Sequence, residues 1–245
     1  MLSSLAARLA AAVVGCALAA ALPMRASAQP QPPSTTTQAP QQGTAQQSSA
    51  VAVDEWRDDF NGDALDQNKW EPFTFEGGSG GKIKIEGGQL RMRGMGASRS
   101  GVRSKPTFTS DRFVVNATIA KVGAALPEPG QSGVPLGNAI VALLFDGSGR
   151  NRIEWIYTSE GTFEAWSVVD GRGERLDNRT LATKVTSPTL SIARKGDDFY
   201  FALNGQVGLQ RTLKNIPRSF RVMLYGYGSS ENNWDSVSVI TAKQR

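Results

Sequence analysis

The chain has 245 residues, with 27 Lys and Arg against 22 Asp and Glu, one cysteine, no histidine and a net charge of +5. Without histidine there is no Ser-His-Asp triad, no imidazole base and no His-metal site, and a lone cysteine forms no intramolecular disulfide, so the available chemistry rests on carboxylates, Tyr, Lys and Arg. Basic and acidic residues are interleaved rather than gathered into a Lys/Arg block with intervening aromatics, which argues against a nucleic-acid partner.

Residues 1–28 read as a secretory signal peptide: Arg8 in a short n-region, an Ala/Val/Leu-rich run to Leu22, then Ala26-Ser27-Ala28 before Gln29. Cleavage there removes Cys16, Arg8 and Arg25, leaving 25 basic against 22 acidic residues, a charge of about +3 on a periplasmic or extracellular protein. The alternative is a lipoprotein anchored at Cys16, since Val13-Val14-Gly15-Cys16 resembles a lipid-attachment box. However, Ala17 to Met24 stays apolar where a tether would be polar. The apolar run, broken by Pro23, falls short of the ~20 residues of a membrane span, and nothing downstream offers another. Residues 29–52 are rich in Gln, Pro, Ser, Thr and Ala, with no charged or aromatic residue before Asp54. Such a segment buries too little apolar area to offset its conformational entropy and reads as a disordered tether.

Residues 53–245 are enough for one domain, and their rhythm is β throughout. Ile83 and Ile85 alternate with lysines, Gly87-Gly88 turns the chain, and Leu90 and Met92 alternate with arginines, which predicts a hairpin. Phe113, Val115, Ala117 and Ile119 keep period two. Residues 123–137 are a Gly- and Pro-rich loop by composition. Asn138 to Phe145 is an apolar run ending at Asp146-Gly147, the candidate for a central strand covered on both faces. Ile153–Tyr157 and Phe163–Val169 form the next pair, joined through Ser159-Glu160-Gly161. The stretch from Leu190 to Gln206 places turns at Lys195-Gly196-Asp197-Asp198 and Asn204-Gly205, and Phe220 to Tyr227 makes a further strand.

The opening Asp58-Asp59-Phe60-Asn61-Gly62-Asp63-Ala64-Leu65-Asp66 with Trp70 reads as a domain entrance, its turn with positive φ expected at Asn61-Gly62. The closing Trp234-Asp235-Ser236-Val237-Ser238-Val239 alternates as a final strand, which predicts that the two ends of the domain pair. Together these motifs resemble the concanavalin A-like lectin and glucanase superfamily, which includes laminin-G-like modules and family 16 glucanases. The resemblance implies an all-β fold, an antiparallel two-sheet jelly-roll β-sandwich, and a polysaccharide or oligosaccharide partner.

It also implies a Glu-x-Asp-x-x-Glu strand in the glucanases, because retaining hydrolysis needs two carboxyls about 5 Å apart. The nearest counterpart, Arg152-Ile153-Glu154-Trp155-Ile156-Tyr157, lacks the Asp and the second Glu, so no catalytic residue is assigned. If the following hairpin turns symmetrically about Glu160, Glu154 faces Trp166 and Ile156 faces Glu164, which puts both carboxylates and an indole on one sheet face. Against this stands a plain solvated acidic pair. The candidate ligand-binding set is Glu154, Glu164, Trp166, Tyr225 and Tyr227, with Arg152 and Asn233 as further hydroxyl partners: flat aromatics for the apolar face of a sugar, and polar groups for its hydroxyls. Trp155 shares its face with Ile153 and Tyr157 and is expected in the core, Trp166 on the exposed face. Related sandwiches bind structural calcium between the entrance and the final strand, so Asp59 and Asp235, with Asn61 and Asp63, are the candidate calcium ligands. A faint likeness to alginate-lyase-like sandwiches assigns charge neutralisation to Arg103 and proton transfer to Tyr225, but the Gln-x-His of those enzymes is impossible here. Three functions follow: a non-catalytic, lectin-like carbohydrate-binding module, a polysaccharide-active hydrolase or lyase, or an envelope adhesion or assembly protein.

Overall fold

The computed structural model describes residues 53–75, 81–93, 99–123, 137–227 and 231–243, and all sixteen elements of regular structure among them are strands. The signal peptide, the lipid-attachment alternative, the tether and nearly all of the 123–137 loop lie outside the described residues.

Two antiparallel eight-stranded sheets pack face to face. The back sheet runs β14 (Gln206–Thr212), β13 (Asp198–Leu203), β12 (Thr189–Lys195), β7 (Arg112–Val122), β16 (Glu231–Ala242), β4 (Leu90–Arg93) and β3 (Lys82–Ile85). The twelve-residue β16 has room for two successive partners. Glu231–Trp234 pair with β4, and Val237–Ala242 pair with β1 (Val53–Asp58), so the two ends of the domain meet as expected. The front sheet runs β11 (Arg172–Thr180), β10 (Thr162–Val169), β9 (Arg152–Thr158), β8 (Asn138–Leu144), β15 (Ser219–Gly226), β5 (Ser100–Ser104) and β2 (Trp70–Thr74), with β6 (Phe108–Thr109) beside the start of β15.

Period-two alternation sorts the front sheet's residues between two environments. Ala139, Val141 and Leu143 of β8 and Ile153, Trp155 and Tyr157 of β9 join the core between the sheets. Ile140, Ala142, Leu144 and Ile156 point the other way, into a smaller cluster with Phe75, Met223 and Tyr225. All seven residues of β8 are therefore buried, as an unbroken apolar run demands of a strand covered on both faces. Trp155 lies in the core as expected; its ring stacks on Phe163 at 5.4 Å, and its Nε1 donates to the Ala202 carbonyl of the back sheet at 3.1 Å.

The glycine turns fall as predicted, with positive φ at Gly87 and Gly88 and at Asn204 and Gly205. The entrance differs: its left-handed residue is Phe60, at φ 52°, and not Asn61 or Gly62. Asp58 explains the shift. Its Oδ1 accepts the Phe60 N–H at 2.9 Å and its Oδ2 accepts the Trp70 Nε1–H at 2.8 Å. Burial of Phe60 against Trp70 then offsets a backbone cost of about 1–2 kcal/mol.

Candidate functional site

The outer face of the front sheet carries ladder rows whose members come from different strands. One row reads Tyr225, Ile140, Ile156, Glu164, Asn178 across β15, β8, β9, β10 and β11. The next reads Met223, Ala142, Glu154, Trp166, Arg175. The hairpin from β9 to β10 thus has the register expected from its sequence, with Glu154 opposite Trp166 and Ile156 opposite Glu164. These rows floor a cavity of about 310 Å³ that gathers Glu154, Glu164, Trp166, Tyr225 and Tyr227, with Arg99 and Arg152 also in its lining.

Glu154 is not a solvated carboxylate. It is buried at 3 % exposure, and its Oε1 accepts both the Arg152 Nε–H and the Tyr225 hydroxyl in short hydrogen bonds. The phenol of Tyr225 reaches it from β15 across β8, where the small Ala142 stands between Met223 and Glu154. Arg152 also donates from Nη1 to the Gly149 carbonyl at 2.8 Å, and its guanidinium lies over the Phe75 ring at 4.7 Å. Burial, the largest single effect, disfavours the Arg152 charge, but Glu154 and Tyr225 together outweigh it and raise the guanidinium above its ordinary pKa. Burial first, and the Glu154 charge second, push the Tyr225 phenol well above its ordinary value.

The second carboxylate is held differently. Glu164 Oε2 accepts the Trp166 Nε1–H at 2.8 Å and Oε1 accepts the Asn178 amide at 3.1 Å, so its direct partners are neutral donors. Trp166 is half-buried as a result: its indole is pinned at one edge by Glu164, and its benzo edge lies over the backbone of β11. A Cβ at Gly173 would stand 3.4 Å from the ring, in van der Waals contact with it, so there is room here for the indole and little more. Tyr227 marks the opposite rim, 39 % exposed, with its phenol raised by burial and then by Glu164. Asn138 fixes its backbone, accepting the Tyr227 N–H at 2.9 Å and donating to its carbonyl at 3.1 Å.

Hydrolysis needs one carboxyl that gives up a proton and another that attacks or activates water. Here Glu154 is met by Arg152 and Tyr225, and Glu164 by Trp166 and Asn178. Arg103, the expected charge neutraliser of a lyase, is engaged by Glu71, the Gly147 carbonyl and the Phe73 ring, outside the lining of this cavity. Asn233 is also outside it, on β16 of the other sheet, where its amide approaches Gln89 at 3.5 Å. The residues that sequence reasoning missed are Arg99, Asn178, Arg175 and Gly173. Three of them lie on β11, whose sequence Arg-Gly-Glu-Arg-Leu-Asp-Asn-Arg-Thr carries no apolar alternation. Only its pairing with β10 brings Asn178 to Glu164 and Arg175 to Trp166.

The candidate calcium ligands Asp59 and Asp235 have protein partners. Asp59 is ion-paired with Arg57 at 2.7 Å beside a second hollow of about 330 Å³ formed by the entrance turn, and Asp235 accepts from the Gln89 amide at 2.8 Å. Among the described residues no group of three or more acidic or cysteine side chains is placed to hold a metal ion. No helix among them is long and apolar enough to cross a membrane.

The architecture is that of a concanavalin A-like jelly roll, the fold of the glucanases. Among solved structures, the endo-β-1,3-glucanase from Pyrococcus furiosus superimposes with a TM-score of 0.58 at 14 % identity, covering 80 % of this chain and 95 % of that one. A non-specific endo-β-1,3(4)-glucanase from family GH16 gives 0.58 at 12 %, covering 79 % and 94 %. A Bacillus licheniformis β-glucanase gives 0.54 at 13 %, covering 77 % and 98 %. No protein-family model and no curated protein sequence matches the chain.

Proposed function

We propose that this chain is an exported, non-catalytic, lectin-like carbohydrate-binding protein that holds an oligosaccharide or polysaccharide on the outer face of its front sheet. The observation that carries the reading is the pinned Trp166 indole beside a cavity whose carboxylates are both engaged as acceptors. A flat aromatic takes the apolar C–H face of a sugar, and Glu164, Arg152 and Tyr227 lie within the same hollow to meet its hydroxyls. The glucanase fold supports a carbohydrate ligand, and the signal-like residues 1–28 support export.

The test is a glycan and polysaccharide array probed with the purified protein, with and without calcium, while the same panel is assayed for new reducing ends and unsaturated products. Binding without product, weakened about ten-fold by Trp166→Ala, is the expected result. A second reading, a polysaccharide-active hydrolase, draws on the diagonal placement of Glu154 and Glu164, whose cross-strand geometry sets their Cα atoms roughly 7–8 Å apart. Product formation that disappears in Glu164→Gln would establish it in place of the first. Silence on every glycan would direct attention to a protein partner.

A further inference from the structure

The charges around the cavity do not cancel. Arg152 and Glu154 neutralise each other in the buried floor, which leaves Glu164 and Arg99 in the lining and Arg175 just outside it, opposite Trp166 on β11. The guanidinium of Arg99 lies 6.0 Å from the centre of the Tyr227 ring, and that of Arg175 lies 6.0 Å from the Trp166 ring. Among the described residues neither has a carboxylate within ion-pair distance, whereas Arg57, Arg93, Arg103, Arg179, Arg218 and Arg221 each do. Both are exposed, so their guanidinium groups remain available to a ligand beside the two aromatic rings.

We propose that the glycan held here is anionic, carrying carboxylate or sulfate groups that Arg99 and Arg175 bind while a sugar ring lies on Trp166. The proposal rests on the carbohydrate reading above and names the ligand class for that same site. A guanidinium presents a planar fork of N–H donors, and that fork matches a carboxylate or a sulfate in a bidentate manner. The position of Glu164 adds orientation: it repels the anionic substituent towards the arginine rims and accepts from sugar hydroxyls instead. The field of Arg99 reaches into the cavity, since it favours the ionised form of both Tyr225 and Tyr227 against the opposing effects of burial.

The experiment is isothermal titration of the purified protein with a polyuronate, a sulfated galactan and a neutral β-1,3-glucan, at about 0.02 M and 0.3 M NaCl. We expect at least one anionic polymer to bind more tightly than the neutral one and to lose affinity in the higher salt. Arg99→Gln and Arg175→Gln should each weaken that binding about ten-fold, while Lys214→Gln, which removes an exposed charge outside the cavity lining, stays within about two-fold. Whether the uronate or the sulfated polymer binds identifies the charged group. Trp166-dependent binding of the neutral glucan with both anionic polymers rejected would overturn the proposal and leave the carbohydrate reading standing. Silence from all three polymers and from the wider glycan array would overturn both. Anion binding that responds to Lys214→Gln as much as to the two rim variants would also overturn it, because it would mark general attraction to a basic surface.

Discussion

Replacing Arg152 by Met tests how far the floor of the cavity depends on its buried ion pair. Arg152 and Glu154 have side chains only 7 % and 4 % exposed. Loss of the guanidinium leaves a buried carboxylate with the Tyr225 hydroxyl as its remaining partner, which typically costs about 3–5 kcal/mol. Loss of the bond to the Gly149 carbonyl adds ~1 kcal/mol. A total of about 4–6 kcal/mol is a large part of the 5–15 kcal/mol that stabilises a typical domain. Yet the penalty belongs to the orphaned charge and not to any lack of volume, so removing the charge should recover most of it. The triple variant Arg152→Met, Glu154→Met, Tyr225→Phe should return to within about 2 kcal/mol of the parent. Urea unfolding at neutral pH, followed by tryptophan fluorescence and compared at equal m values, measures all three quantities. If Arg152→Met costs less than about 1 kcal/mol, or the triple variant is no more stable than Arg152→Met, the three residues do not act as one buried unit.

Further predictions concern the same face. Gly173→Ala should be tolerated, since its Cβ meets the Trp166 ring at 3.4 Å, whereas Gly173→Val should tilt the indole and weaken glycan binding several-fold with the unfolding midpoint little changed. Gly101→Ala should prevent accumulation of folded protein, because the added Cβ would lie 2.0 Å from the Leu224 carbonyl, a backbone atom inside the sheet; soluble expression and circular dichroism report it. The Tyr225 phenol keeps its proton in the folded protein where the unfolded chain loses it near pH 10, so the native state binds more protons there and stability falls as pH rises through that range. Tyr225→Phe should flatten this fall without abolishing it, since burial raises Tyr157, Tyr200 and Tyr227 as well; urea midpoints measured from pH 9 to about 11 show the difference.

How much of this was legible in the sequence depends on which face of which strand a residue occupies. The hairpin from β9 to β10 was readable because Gly161 supplies the positive φ of a short turn, and the turn length fixes which residues stand opposite one another. That register placed Glu154, Glu164 and Trp166 together before any coordinates. The burial of Glu154 was not readable, because it depends on Tyr225, 71 positions away, and on the order of strands that puts β15 next to β8. The edge strand β11 was invisible for a different reason. It is half of a ladder with solvent beyond it, so most of its residues are exposed and polar, and nothing in Arg172–Thr180 alternates. The entrance turn misled because local preference favours Gly62 for a positive φ, while two long-range anchors, Asp58 to Trp70 and Phe60 to the core, place it two residues earlier.

The hollow itself follows from residue size along the ladders. A row across a sheet is concave where small side chains sit between large ones. Gly173 beside Trp166 supplies such a low point, whereas the space over Ala142, between Met223 and Glu154, is crossed by the Tyr225 phenol. The tall members are then fixed by polar bonds rather than by apolar packing alone: Tyr225 by Glu154, Trp166 by Glu164, and the backbone of Tyr227 by Asn138. A site built this way loses little side-chain entropy when a ligand arrives, since its aromatic walls are already ordered. The same bonds fix both carboxylates, so Glu154 and Glu164 are ordered together with the aromatic groups they hold.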